Sequence, residues 1–121
     1  MSYRDLDVWK KAIVLVTEVY RFSKLFPKDE TYGLSQQMRR SAVSIPSNIA
    51  EGYGRCSTSD YIRFLQIAVG SLYEFQTQIV IARNLEYLSD ASHKSLDAAS
   101  REIERMLTSL TRKLQEHQNN T

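Results

Sequence analysis

The chain has 121 residues, of which 25 % are charged and 42 % hydrophobic, the composition of one ordinary globular domain. With only 4 glycines and 2 prolines it has little room for hairpins or linkers, which excludes a β-sandwich, a collagen-like repeat and a low-complexity segment. The net charge of +2, from 16 basic and 14 acidic residues, does not point to nucleic acid; any such case rests on where the charges sit.

The first predicted helix runs from about Asp7 to Phe26. Val8, Ala12, Leu15, Val19, Phe22 and Phe26 follow one another by four and three, which keeps them on one helix face. Asp5 or Asp7 is the expected cap and Pro27 the expected stop. The second runs from about Glu30 to Gly52 with Leu34, Met38, Ala42, Ile45 and Ile49 as its stripe, ended by Gly52 and Gly54. The third runs from about Thr58 to Leu85 along Tyr61, Leu65, Ala68, Leu72, Phe75, Ile79 and Ala82, and Ser57 with Asp60 resembles a capping box. The fourth runs from about Asp90 to Glu116 along Leu96, Ala99, Ile103, Leu107, Leu110 and Leu114, capped by Ser89. Residues 116–121 are expected to fray.

No repeat, linker or boundary divides the chain, so residues 1–121 read as one domain. Short loops force successive helices to alternate direction, and the expected fold is all-α, an antiparallel up-down-up-down four-helix bundle. The longest apolar run, Ala12 to Val16, is too short for a membrane span or a signal-peptide core. A single cysteine, Cys56, cannot make an intrachain disulfide and is expected to face solvent, which suits a cytoplasmic location.

Two helices carry more apolar surface than one core needs. The first adds Trp9, Ile13, Val16 and Tyr20 beside its stripe, giving an arc of about 180° against roughly 100° for a simple core-facing helix. The third adds Ile62, Val69, Tyr73 and Val80. A fully used core is one explanation; a second buried face, and hence a homo-oligomer with Trp9, Ile13 and Tyr20 between chains, is the favoured one.

Little in the chain prepares catalysis. A di-metal carboxylate bundle needs paired Glu-x-x-His motifs, and the two histidines, His93 and His117, offer only Asp90-Ala-Ser-His93 at a helix start and a residue in the tail. Both read as surface histidines. Neither phosphate-loop glycine pattern is present. The chain is expected to be no enzyme and to take no cofactor, metal or small-molecule substrate.

The basic residues are more orderly. With Ile103 at the centre of the buried face, Lys94, Arg101, Arg105 and Arg112 share one outward line roughly 27 Å long at 1.5 Å per residue. The first helix turns Lys10, Arg21 and Lys24 outward. These cations are either a solvated face, flanked by Asp97, Glu102 and Glu104, or contacts for a phosphate backbone. The second helix is polar opposite its core, through Arg40, Ser44, Ser47 and Glu51 with Gln37 and Asn48 alongside, and it holds Pro46. Ser44, Ser47 and Asn48 can serve carbonyls that proline frees. Arg40 and Glu51 are too far apart to pair, so each is expected to meet a partner on another helix or subunit. This face reads as close packing around a kink, a polar subunit contact or a ligand site.

The run Gln37-Met-Arg-Arg-Ser-Ala-Val-Ser-Ile-Pro-Ser-Asn-Ile-Ala-Glu-Gly52 resembles the signature of the four-helix-bundle proteins encoded in intervening sequences of bacterial 23S ribosomal RNA genes. Tyr3 to Trp9 resembles that family's opening. Phe26-Pro27 with Glu30 and Tyr32-Gly33-Leu34 resembles its first turn, and Phe64-Leu65 with Ala68 and Gly70-Ser71 its third helix. The resemblance implies an antiparallel bundle with no assigned catalytic activity. Through a related group, the basic pentameric accessory proteins of diversity-generating retroelements, it implies a ring, a pentamer first, and nucleic acid as a partner. The functional expectation is an oligomeric module contacting structured RNA ahead of DNA. Its rival is a structural or protein-binding adaptor.

Overall fold

The computed structural model describes residues 1–120. A short 3-10 turn at Tyr3–Asp5 leads into α1 (Asp7–Ser23). A second, at Lys28–Glu30, precedes α2 (Leu34–Tyr53), and α3 (Thr58–Asn84) and α4 (Asp90–Asn119) follow. Each helix packs on the next and α1 closes against α4, while the diagonal helices stay apart. The fold is therefore an up-down-up-down four-helix bundle. Its most intimate contact is α2 on α3 and its loosest is α1 on α4. Among the described residues no helix is long and apolar enough to cross a membrane.

The helix ends differ from the sequence expectation where a side chain competes with the helix. Asp5 does not cap α1: its carboxylate accepts from the Ser2 amide at 2.8 Å and closes a capping box around the first 3-10 turn. Leu6 occupies the α1 N-cap without a side-chain bond. At the other end α1 stops at Ser23, short of Phe26, because the Leu25 and Phe26 amides tighten onto Phe22 and Ser23 carbonyls before Pro27. Phe26 stays buried, outside the helix. Glu30 does not begin α2 either. Its Oε1 accepts from the Leu34 amide at 3.1 Å, so the helix starts at Leu34 with a carboxylate at its positive end.

Gly52, expected to stop α2, lies buried inside it. A Cβ there would stand 2.7 Å from the Phe64 Cβ and 3.1 Å from the Tyr61 ring, so its lack of a side chain sets how closely α2 and α3 approach. Gly54 is the C-cap. Ser57 and Ser89 cap α3 and α4, their hydroxyls accepting from the Asp60 and Ser92 amides at 3.1 and 3.0 Å. Between those helices the chain reverses through Glu86, whose φ of 65° is left-handed, while the Tyr87 amide returns to the Ala82 carbonyl at 2.8 Å. Residues 116–119, expected to fray, continue α4, and Gln118 donates to Ser59 Oγ at 2.6 Å; Thr121 lies outside the described residues.

The core follows the expected stripes, except that Phe22, Tyr61, Leu110 and Leu114 are only half-buried, Ser23 and Ile62 are buried beside the first two, and α4 makes one full exchange. On α4 the fully buried position is Ser100, while Ala99 is exposed. Ser100 is tolerated because its hydroxyl donates to the Asp97 carbonyl at 2.8 Å and accepts from Gln76 at 3.3 Å.

Candidate functional site

The fourth-helix line is exposed along its length. Lys94, Arg105 and Arg112 have no ion-pair partner among the described residues, whereas Arg101 is held by Asp97 on its own helix at 2.9 Å. That carboxylate raises the Arg101 pKa. Two acids flanking the line turn toward neighbouring helices. Glu102 pairs with Lys11 of α1 at 2.7 Å, which lowers the Glu102 pKa and raises that of Lys11. Glu104 accepts from Gln76 of α3 at 3.0 Å. Lys10 on α1 and Lys24 at its C-cap are exposed and unpaired among the described residues, but Arg21 is tied to Glu18 at 3.0 Å.

The extra apolar arc of α1 lies against α2. Trp9 is half-buried and meets Tyr3 edge-on at 5.3 Å, while Ile13 and Tyr20 are 38 % and 40 % exposed. Trp9 and Ile13, with Val16, Val43 and Ala50, line a shallow groove of about 270 Å³, while Tyr20 lies outside it. The arc of α3 is narrower than expected. Ile62 is buried and Val69 packs on the core, so only Tyr73 and Val80 of that set remain exposed.

The polar face of α2 divides. Ser44 turns toward α3, where its hydroxyl meets that of Ser71 at 2.8 Å, and Asn48 donates to both the carbonyl and the hydroxyl of Ser44. The carbonyl that Pro46 frees belongs to Ala42, so Asn48 supports a different one. Pro46 is buried within the continuous helix, and Ser47 is exposed at the edge of the apolar groove. Glu51 finds its partner four residues on, in Arg55 at 2.8 Å, rather than on another helix. Arg40 is exposed and holds no ion pair among the described residues. Cys56 is exposed, as expected. His93 is not the surface residue expected: it is half-buried, its Nδ1 lies 3.5 Å from Arg83 Nη1, and its Nε2 is buried without a partner.

Arg39 escaped the sequence reading because it sits beside the apolar stripe and belongs to no outward line. Its Nε donates to Ser23 Oγ at 2.8 Å and its guanidinium lies 4.5 Å from the Tyr20 ring centroid, joining α2 to the end of α1. Its one legible signal was its place in the sixteen-residue run, next to Arg40. Here a cleft of about 440 Å³ opens between Tyr20, Tyr32, Arg39 and Arg40.

The fold and these surfaces define an all-α bundle that presents a basic line, a shallow apolar groove and an open cleft. The family model of the 23S rRNA-intervening sequence protein matches residues 4–109, and the chain belongs to that family. It is also similar to a crystal structure of a protein with unknown function from the S23 ribosomal protein family of Bacteroides thetaiotaomicron. That match has a TM-score of 0.81 and 26 % identity, over 87 % of this chain and 95 % of that one. No curated protein matches the chain.

Proposed function

We propose that this chain is a non-enzymatic, cytoplasmic module that associates with copies of itself, a pentamer first, and binds structured RNA through the outer line of α4. The observation that carries the reading is the freedom of Lys94, Arg105 and Arg112, exposed on one line with no carboxylate in ion-pair range among the described residues. Such cations position a phosphate backbone without reading its sequence. Self-association rests on the uncovered apolar groove along α1 and α2, and a ring would repeat the basic line around its rim.

The test is a salt titration of binding to structured RNA. Arg101, Arg105 and Arg112 changed together to Gln keep helix propensity and leave the core untouched. Affinity should fall, and the slope of log affinity against log salt should flatten by roughly 0.7–0.9 per lost phosphate contact. Lys10, Arg21 and Lys24 changed together are the control for net charge. Equal losses from both sets make the effect one of net charge rather than of a site on α4; no effect of either set, or no binding at low salt, favours the adaptor. Light scattering should return several times 14.0 kDa, and a monomer mass ends the assembly reading.

A further inference from the structure

We infer that the cleft bounded by Tyr20, Tyr32, Arg39 and Arg40 binds a nucleotide unit, with its phosphate on the two arginines and its base on the exposed Tyr32 ring. This deepens the RNA reading above and rests on it for the macromolecular source of the nucleotide.

Charge comes first. Two guanidinium groups adjacent in sequence line the cleft, and no Asp or Glu is among the described residues that line it. Neither arginine forms an ion pair among the described residues. This distinguishes the cleft from α4, where five cations share the helix with five acids, Asp90, Asp97, Glu102, Glu104 and Glu116. Neighbouring cations left without a counter-charge repel one another, and a bound anion relieves that repulsion.

Arg39 is also held ready. Ser23 fixes its Nε and Tyr20 lies under its plane, so its orientation is set before any ligand arrives. Its two terminal nitrogens make no hydrogen bond among the described residues. They present the forked donor pair that matches two oxygens of a phosphate. Holding the fork in place lowers the ordering cost of binding.

The aromatic component is Tyr32. It is 89 % exposed, an unusual position for a large ring, and its hydroxyl has no hydrogen-bond partner among the described residues. A base can stack on such a face whatever its identity. Thr31 and Gln36 add hydroxyl and amide groups at the rim. A volume of about 440 Å³ lies within the range of small-ligand sites, roughly 300–1,000 Å³.

The experiment uses the full chain at low salt with a short fluorescent single-stranded oligoribonucleotide. A nucleoside monophosphate and inorganic phosphate serve as competitors. Arg40→Gln and Tyr32→Ala are the main variants, since both residues are exposed and hold no structural contact named above. Arg39→Lys keeps the charge and removes the fork. Tyr32→Ala should weaken the oligonucleotide at least about fivefold. Arg40→Gln should weaken it and flatten its salt slope by about 0.7. Arg39→Lys should weaken it too, and the monophosphate should compete better than inorganic phosphate. Binding of the monophosphate with the same variant pattern, but none of the oligonucleotide, supports the cleft with a free nucleotide as its ligand.

If Arg40→Gln and Tyr32→Ala bind like the parent while the α4 triple variant loses structured RNA, the cleft is wrong and the RNA reading stands. No binding of either nucleotide probe overturns the cleft whatever α4 does. A drop in assembly mass in Arg40→Gln or Tyr32→Ala with unchanged nucleotide affinity also overturns it, making this face a contact between copies.

Discussion

Tyr87 donates its hydroxyl to Glu30 Oε2 at 3.0 Å, joining the turn between α3 and α4 to the turn before α2 across 57 positions of chain. The same carboxylate uses its other oxygen to accept from the Leu34 amide, and the Tyr87 ring packs on Phe26 at 5.4 Å. One acid thus starts a helix and holds together one end of the bundle. Glu30→Ala should cost about 1–2 kcal/mol in a denaturant titration, and Tyr87→Phe should cost measurably less because the Leu34 bond survives. Glu30 raises the Tyr87 pKa, so this contribution is complete below the ordinary tyrosine range and is lost as pH climbs through the raised value. Tyr87→Phe should remove that alkaline loss.

Gly52 and Gly70 are both helical glycines in opposite situations. A Cβ at Gly52 collides with Phe64 and Tyr61, while one at Gly70 meets nothing within 4 Å. Gly52→Ala should destabilise, because overpacking costs about 1–3 kcal/mol and outweighs the helical gain. Gly70→Ala should stabilise by about 0.5–1 kcal/mol. Thermal unfolding of the pair decides it, and equal shifts would contradict the close approach of α2 and α3.

Glu86 occupies the left-handed region that favours glycine. Glu86→Gly removes a Cβ penalty of roughly 1–2 kcal/mol and gives back part of it in unfolded-chain entropy. The expected outcome is a small rise in the urea midpoint, with an unchanged slope.

Lys11 and Glu102 join α1 to α4 at the loosest edge of the bundle. The lysine holds the Glu102 carboxyl below its ordinary value of 4.5, so the contribution is complete above that value and fades as pH falls through the lowered one. Glu102→Gln should therefore flatten the acid limb of stability against pH. An identical acid limb in wild type and variant would mean the pair contributes nothing.

Glu51 and Arg55 form an exposed pair four residues apart, and Glu51→Ala should cost only about 0–1 kcal/mol. Arg40→Ala should be equally mild, since Arg40 holds no ion pair among the described residues. A larger loss for Arg40 that vanishes on dilution would place it between copies.

The apolar periodicity determined the bundle, the order of its helices and nearly all of its core, because steps of four and three leave one burial solution per helix. Short loops then determined the antiparallel order. What the sequence left open was every choice between nearly equivalent neighbours. Ala99 and Ser100 straddle the same stripe, and the more polar residue went inside because Gln76 and the Asp97 carbonyl satisfy it. Gly52 looked like a stop and is a contact point, since only the approach of Phe64 gives its missing side chain a purpose. Glu30 looked like the start of α2 and instead lies in the 3-10 turn before it, its carboxylate accepting from the Leu34 amide and held by a tyrosine far along the chain. The basic line of α4 was legible because one helix carries it. The Arg39–Arg40 cleft was not, because its walls come from the end of α1, a turn and α2, and only packing brings Tyr20, Ser23 and Tyr32 to the same two arginines.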